Sequence, residues 1–214
     1  MARQLDYHQM RAIFTRFQAA EPEPQGELHH TNAFTLLVAV VLSAQATDTG
    51  VNRATAGLFA LADTPQAMLD LGEVRLTAAI STIGLYRQKA ANVIRLSRIL
   101  VEDYAGAVPS SRAALQALPG VGRKTANVVL NLWFHHPAQA VDTHVFRVGN
   151  RTGIGPGKDV LAVERALEDN LPVAFQRHAH HWLILHGRYV CTARAPKCGG
   201  CLIRDLCPYE DKTL

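Results

Sequence analysis

The chain has 214 residues, 48% of them hydrophobic and 19% charged, with a formal net charge of +4 at pH 7. That is chain enough for one or two domains with a real core, and the composition excludes a disordered or fibrous protein. The longest apolar run, Phe34 to Leu42, is less than half of what a bilayer span requires, so no membrane protein is expected. In chain order, MARQLDYHQMRAIFTRF sets Met10, Ile13, Phe14 and Phe17 at i, i+3, i+4 and i+7, which predicts a packed helix instead of a targeting signal. Asn32 is placed to cap a helix through Leu42, and Asp48 to cap the next, from Thr49 to Leu61. Pro65 opens a helix ending near Gly72. Another, Val74–Ile80, runs into Thr-Ile-Gly-Leu, where Gly84 would supply a left-handed stop. A long helix carries Val93, Ile94, Ser97 and Leu100 on one face. Further helices fit Ser111–Ala117, Arg123–Trp133, Thr143–Arg151, Val160–Leu171 and Pro172–Cys191. Strand alternation and hairpin signals are missing, so the predicted fold class is all-α.

Charge is unevenly spread. Tyr104 to Lys158 holds six basic residues (Arg112, Arg123, Lys124, Arg147, Arg151, Lys158) against the single acid Asp142. Val74 to Val101 holds five basic residues and no acid. Such asymmetry suits a polyanion, because Lys and Arg gain affinity by neutralising phosphates; ordinary surface charge is the competing reading.

All four cysteines fall near the C-terminus with the spacing C-x6-C-x2-C-x5-C: Cys191, Cys198, Cys201 and Cys207. Disulfides are disfavoured in the cytosolic compartment that the lack of a secretory signal implies. Four thiolates so close would repel one another without a bound cation, and both zinc and an iron–sulfur cluster meet that need. Only Cys198-Gly-Gly-Cys201 is a short knuckle, whereas structural zinc usually has two; spacing alone leaves both metals open. The loop between Cys191 and Cys198 holds Arg194 and Lys197 and no acid, as a basic finger presented to phosphate would, although a merely solvated loop reads the same on charge alone.

In Leu118-Pro119-Gly120-Val121-Gly122, Leu118 and Val121 can bury while the glycines take conformations other residues resist. Amides near Gly120 and Gly122, leading into a helix at Arg123, form a possible anion site, although a plain helix–turn–helix corner would look alike. On that helix Ala126, Val129, Leu130 and Trp133 make the apolar stripe. Lys124 falls almost opposite it, with Asn127 and Asn131 nearby. Periodicity does not separate a solvated lysine from a reactive one. Asp142, before Thr-His-Val, reads on its own as a helix N-cap.

Together, LPGVGRKTANVVLN (Leu118–Asn131), VDTHVFRV (Val141–Val148), LSAQATD (Leu42–Asp48), HHWLILHGRYVC and the cysteine spacing resemble bacterial endonuclease III, of the helix-hairpin-helix DNA glycosylases. The resemblance spans nearly the whole chain. It implies two helical domains flanking a DNA-binding cleft: a six-helix barrel domain with the helix-hairpin-helix at 26–136, and residues 1–25 plus 137–214 as an iron–sulfur domain. It implies a [4Fe-4S] cluster on the four cysteines, Lys124 and Asp142 as catalytic residues, and Gln45 and Leu85 as side chains inserted into the duplex. Read without it, Leu85 would be a buried helix-end contact.

The implied chemistry is glycosylase and lyase action on oxidised pyrimidines or abasic sites in double-stranded DNA, within base excision repair. The enzyme would be monomeric and cytoplasmic, at the nucleoid through DNA. A target base must first leave the stack. A neutral Lys124 amine would then attack C1′, with Arg123 and desolvation by DNA favouring neutrality, and Asp142 would accept a proton or stabilise the sugar cation. A monofunctional relative such as the adenine-mismatch glycosylase lacks a lysine at the position of Lys124. A non-catalytic DNA-binding module would need neither Lys124 nor Asp142, and an electron carrier would not need the glycine hairpin. The histidines His178, His180, His181 and His186 read as parts of a packed helix and not as a second metal site. Gln116 replaces a glutamate that many relatives carry just before the hairpin.

Overall fold

The structure is a computed structural model that describes residues 3–213, and every regular element in them is helical. Contacts divide the chain into two compact units, one from Gly26 to His135 and the other formed by the chain up to Gln25 with the chain from His136 onward.

The Gly26–His135 unit is built around α2 (Ala33–Ser43), whose residues Phe34 to Leu42 are all buried. A helix apolar on every face must be central, and α3 (Asp48–Leu61), α6 (Tyr86–Tyr104) and α8 (Arg123–Leu132) pack around it. The short α4 (Pro65–Leu71) and α5 (Glu73–Ala79) pack on α6, and α7 (Arg112–Ala117) packs on α8. Asn32 caps α2 as expected, accepting from the Thr35 amide while the Thr35 hydroxyl accepts from Asn32. The cap of α3 is Thr47 and not Asp48. The Thr47 hydroxyl takes the Gly50 amide, which puts Asp48 in the first turn, where its charge suits the helix dipole.

The other unit contains α1 (Tyr7–Ala20), α9 (Thr143–Thr152), α10 (Val160–Asn170) and α11 (Gln176–Tyr189), followed by the cysteine loop. The expected N-terminal stripe is its core: Met10, Ile13, Phe14 and Phe17 are buried with Val145, Val148, Leu167 and Leu183. Phe14 stacks on Phe175 at 5.8 Å, and Trp182 Nε1 donates to Glu21 O at 2.8 Å, locking α1 to α11. The single helix expected over Pro172–Cys191 is instead a 3-10 turn, Val173–Phe175, followed by α11. Cys191 lies past the helix end, where its amide still reaches His186 O at 2.7 Å. No helix of the described residues is long and apolar enough to cross a membrane.

Candidate active site

The hairpin between α7 and α8 closes through Val121 N to Leu118 O at 3.1 Å, with both side chains buried. The two glycines serve different needs. Gly120 has φ +79°, and a Cβ there would lie 2.9 Å from Asn92 Nδ2, so backbone and space both demand glycine. Gly122 has φ −85°, which any residue adopts, and nothing lies within 4 Å of its missing Cβ; its smallness keeps the approach to the α8 N-terminus open. Both residues are exposed, and their amides donate to no acceptor among the described residues. Unsatisfied amides at a helix start attract an anion.

Lys124 is exposed in the first turn of α8, and its ammonium has no hydrogen bond or ion pair among the described residues. Arg123, beside it, is half-buried. Asn127 and Asn131 do not share the exposure expected of them. They are 0% and 2% exposed, while Trp133, assigned to the apolar stripe, is 39% exposed at the helix end. Helix α8 is therefore buried around most of its girth from Ala126 onward, and Lys124 emerges where that burial begins.

Asp142 caps α9. Its Oδ1 accepts from the His144 and Val145 amides, both at 2.9 Å, and Oδ2 has no partner among the described residues. One carboxylate oxygen thus caps the helix and the other is not engaged in the cap. The capping and catalytic readings of Asp142 are compatible.

Gln45 and Leu85 are both exposed, Leu85 by 61%, and both have left-handed backbone, φ 55° and 58°. Leu85, not Gly84, is the left-handed residue ahead of α6, and it is not the buried contact its local sequence suggests. A side chain in that conformation costs about 1–2 kcal/mol. Their turns adjoin, since a Cβ on Gly84 would lie 3.7 Å from Gln45 O. Lys89, one of the five cations of the basic stretch, is 5% exposed and donates Nζ to Leu42 O at 2.9 Å. Desolvation lowers its pKa.

The four cysteines are unpaired and half-buried, and all line one partly open pocket. Among the described residues no three His, Cys, Asp or Glu side chains are grouped as a single metal ion would need. A pocket lined by all four cysteines fits an iron–sulfur cluster, which is held by four thiolates. Burial pushes the Cys201 and Cys207 thiols up, and the neighbouring cysteines add repulsion, so thiolates here call for metal charge.

Two arginines counted with the polyanion-binding charge are used inside this loop. Arg147 donates to Cys191 O at 2.9 Å and Gly187 O at 2.7 Å. Arg151 donates to Thr192 O at 2.7 Å and Ala193 O at 2.8 Å, with Nη1 3.7 Å from Cys191 Sγ. Their i, i+4 spacing on α9 was the available signal for a shared task. The Lys197 amide closes the loop onto Val190 O at 2.9 Å, leaving the Arg194 and Lys197 side chains exposed. His186 sits 3.8 Å from Cys201 Sγ, and burial holds its pKa down to about 4. The histidines belong to α11, where His180 and His181 are buried too.

Known proteins match both features. The HhH-GPD superfamily of base excision DNA repair proteins matches residues 38–173, and the iron-sulfur binding domain of endonuclease III matches residues 191–207. Endonuclease III of Escherichia coli (strain K12) is 57% identical over 200 residues, covering 94% of this chain and 95% of its own. That of Treponema pallidum (strain Nichols) is 58% identical over 205 residues, covering 96% and 97%. The solved structure of a trapped endonuclease III–DNA covalent intermediate aligns with a TM-score of 0.87 at 44% identity, covering 96% of this chain and 97% of that one. With hairpin and cysteine loop each matched and whole relatives aligned end to end, the chain belongs to the endonuclease III family of the HhH-GPD superfamily.

Proposed function

We propose that this chain is a bifunctional DNA glycosylase and abasic-site lyase of base excision repair, removing oxidised pyrimidines from duplex DNA and cleaving abasic sites. The observation that carries the reading is Lys124: an exposed, unpartnered amine at the hairpin helix of a chain aligned over 96% of its length with an endonuclease III trapped as a covalent DNA intermediate. In this reading the Gly120 and Gly122 amides and the Arg123 charge hold a phosphate without regard to base sequence. Gln45 and Leu85 fill the space left by a flipped nucleotide.

The Lys124 amine forms a bond to C1′, and the base departs with the electron pair of the glycosidic bond and takes up a proton. Loss of the ring oxygen's bond to C1′ yields the Schiff base. Removal of the 2′ proton then expels the 3′ phosphate, and water frees the lysine. Oδ2 of Asp142 stabilises positive charge developing at the sugar or takes up the amine proton. Cys191, Cys198, Cys201 and Cys207 would hold the [4Fe-4S] cofactor. When bound, that cluster supplies a rigid tether for the loop presenting Arg194 and Lys197 to phosphate. The enzyme works as a cytoplasmic monomer. In this reading the Gly26–His135 unit is the barrel domain, and the chain up to Gln25 with the chain from His136 onward is the cluster domain.

Borohydride trapping tests the assignment. The wild-type protein is expected to give a covalent adduct with duplexes holding thymine glycol or an abasic site, and Lys124→Ala to give none. Undiminished trapping by Lys124→Ala would overturn the role of that lysine.

A further inference from the structure

The buried lysine of α6 has no part in the chemistry above. Lys89 is 5% exposed, and no carboxylate among the described residues pairs with it. Its ammonium donates to one carbonyl, Leu42 O, in the last turn of α2. An ammonium has three donors and is strongly hydrated in water, so burying it to reach one helix carbonyl is a poor way to stop a helix. The negative end of α2 offsets some of that cost, but a glycine beyond α2 would have stopped it without any buried charge.

Its placement supplies a reason. Through its main chain, Lys89 N is bonded to Leu85 O at 3.0 Å, in the first turn of α6. Through its side chain it holds the turn of α2 that runs directly into Gln45, a turn closed by Ala46 N to Ser43 O at 3.0 Å. The two turns lie side by side, a Cβ on Gly84 falling 3.7 Å from Gln45 O. One residue therefore ties together the turns of Gln45 and Leu85, two of the four exposed, left-handed, non-glycine residues among the described ones.

We infer that Lys89 is a positioning residue that fixes the spacing of Gln45 and Leu85, so that the two side chains enter the duplex as a pair. This rests on the proposed role of those side chains as the groups that fill the gap. Losing the tie would leave each turn free to move on its own helix end, and the cost would fall on extruding a nucleotide from a duplex. A single-stranded abasic site requires no such extrusion. A purely structural role would depress activity on both substrates alike.

The test uses the cluster-loaded full chain and single-turnover rates on two substrates, a thymine-glycol duplex and a single-stranded abasic oligonucleotide. Base extrusion is followed by 2-aminopurine fluorescence beside the lesion. For Lys89→Met, the ratio of duplex rate to single-strand rate is expected to fall about tenfold or more, with slowed extrusion. Gln45→Ala and Leu85→Ala should lower the same ratio, and Lys89→Met combined with Leu85→Ala should lose less than the product of the separate effects. Lys89→Gln, which keeps a shorter donor, should fall between wild type and methionine. An unchanged ratio in Lys89→Met while Gln45→Ala and Leu85→Ala lower theirs would overturn the inference and leave the gap-filling role standing. Unchanged ratios in those two alanine variants would remove that role and the inference with it. Failure of both Lys89 variants to fold would equally decide against positioning, in favour of a purely structural lysine.

Discussion

In the proposed reading Asp142 divides two tasks between its oxygens, a cap and a catalytic group, and that division can be tested by replacing one at a time. Asparagine keeps a side-chain oxygen for the His144 and Val145 amides but removes the charge; alanine removes both. Asp142→Asn is expected to melt close to wild type while its single-turnover glycosylase rate falls on the order of 10²-fold or more. Asp142→Ala should lose a similar rate and also ~1 kcal/mol of stability from the missing cap. Equal rates for asparagine and wild type would reduce Asp142 to a cap. The capping duty was legible in the sequence, since an acid before Thr-His-Val has a local signature. That Oδ2 is left unengaged was not legible, because it depends on which other groups come near.

At the scale of an element, the hairpin separates two glycines that look equivalent in the sequence. Gly120→Ala meets both a left-handed backbone and Asn92 Nδ2, so it is expected to lower stability by about 1–2 kcal/mol and to disturb the hairpin. Gly122→Ala has a permissive backbone and open space, so its melting temperature should stay near wild type. What Gly122→Ala should lose is DNA affinity, through a methyl group set where a phosphate must approach the amides, a loss read by fluorescence anisotropy at fixed salt. A large fall in its stability with intact affinity would contradict this division. The cysteine loop gives a related lesson. The basic residues at it fall into an inner pair from α9, Arg147 and Arg151, bonded to loop carbonyls, and an outer pair of the loop itself, Arg194 and Lys197, exposed on its rim. Charge counting placed the inner pair with the polyanion-binding cations because composition does not say which carbonyls a fold will strand nearby.

Over the whole molecule, a pH response follows from His181. Burial, with the charge of His178 adding to it, lowers its pKa from 6.5 to about 4. The unfolded chain therefore binds the proton first as acid is added. The contribution is complete above pH 6.5, declines as the pH falls towards 4 and is flat below that, for ~3 kcal/mol in all. Urea melts at pH 7.5 and 4.5 are expected to differ by less in His181→Gln than in wild type, and an unchanged difference would remove His181 as its source. By itself, the sequence determined the helices, most of their caps, the N-terminal core stripe, the metal-binding spacing and, through its motifs, the family, because periodicity, capping chemistry and cysteine spacing are all local. Only the tertiary structure decided that Lys89 is buried, that Leu85 and not Gly84 turns left-handed, that Asn127 and Asn131 lie inside, and that two arginines serve the cysteine loop. The physical reason is that a helix's own pattern says which face is apolar. Whether a polar side chain meets water, a carbonyl or a neighbouring helix is settled by elements far away in sequence, as Leu42 is from Lys89.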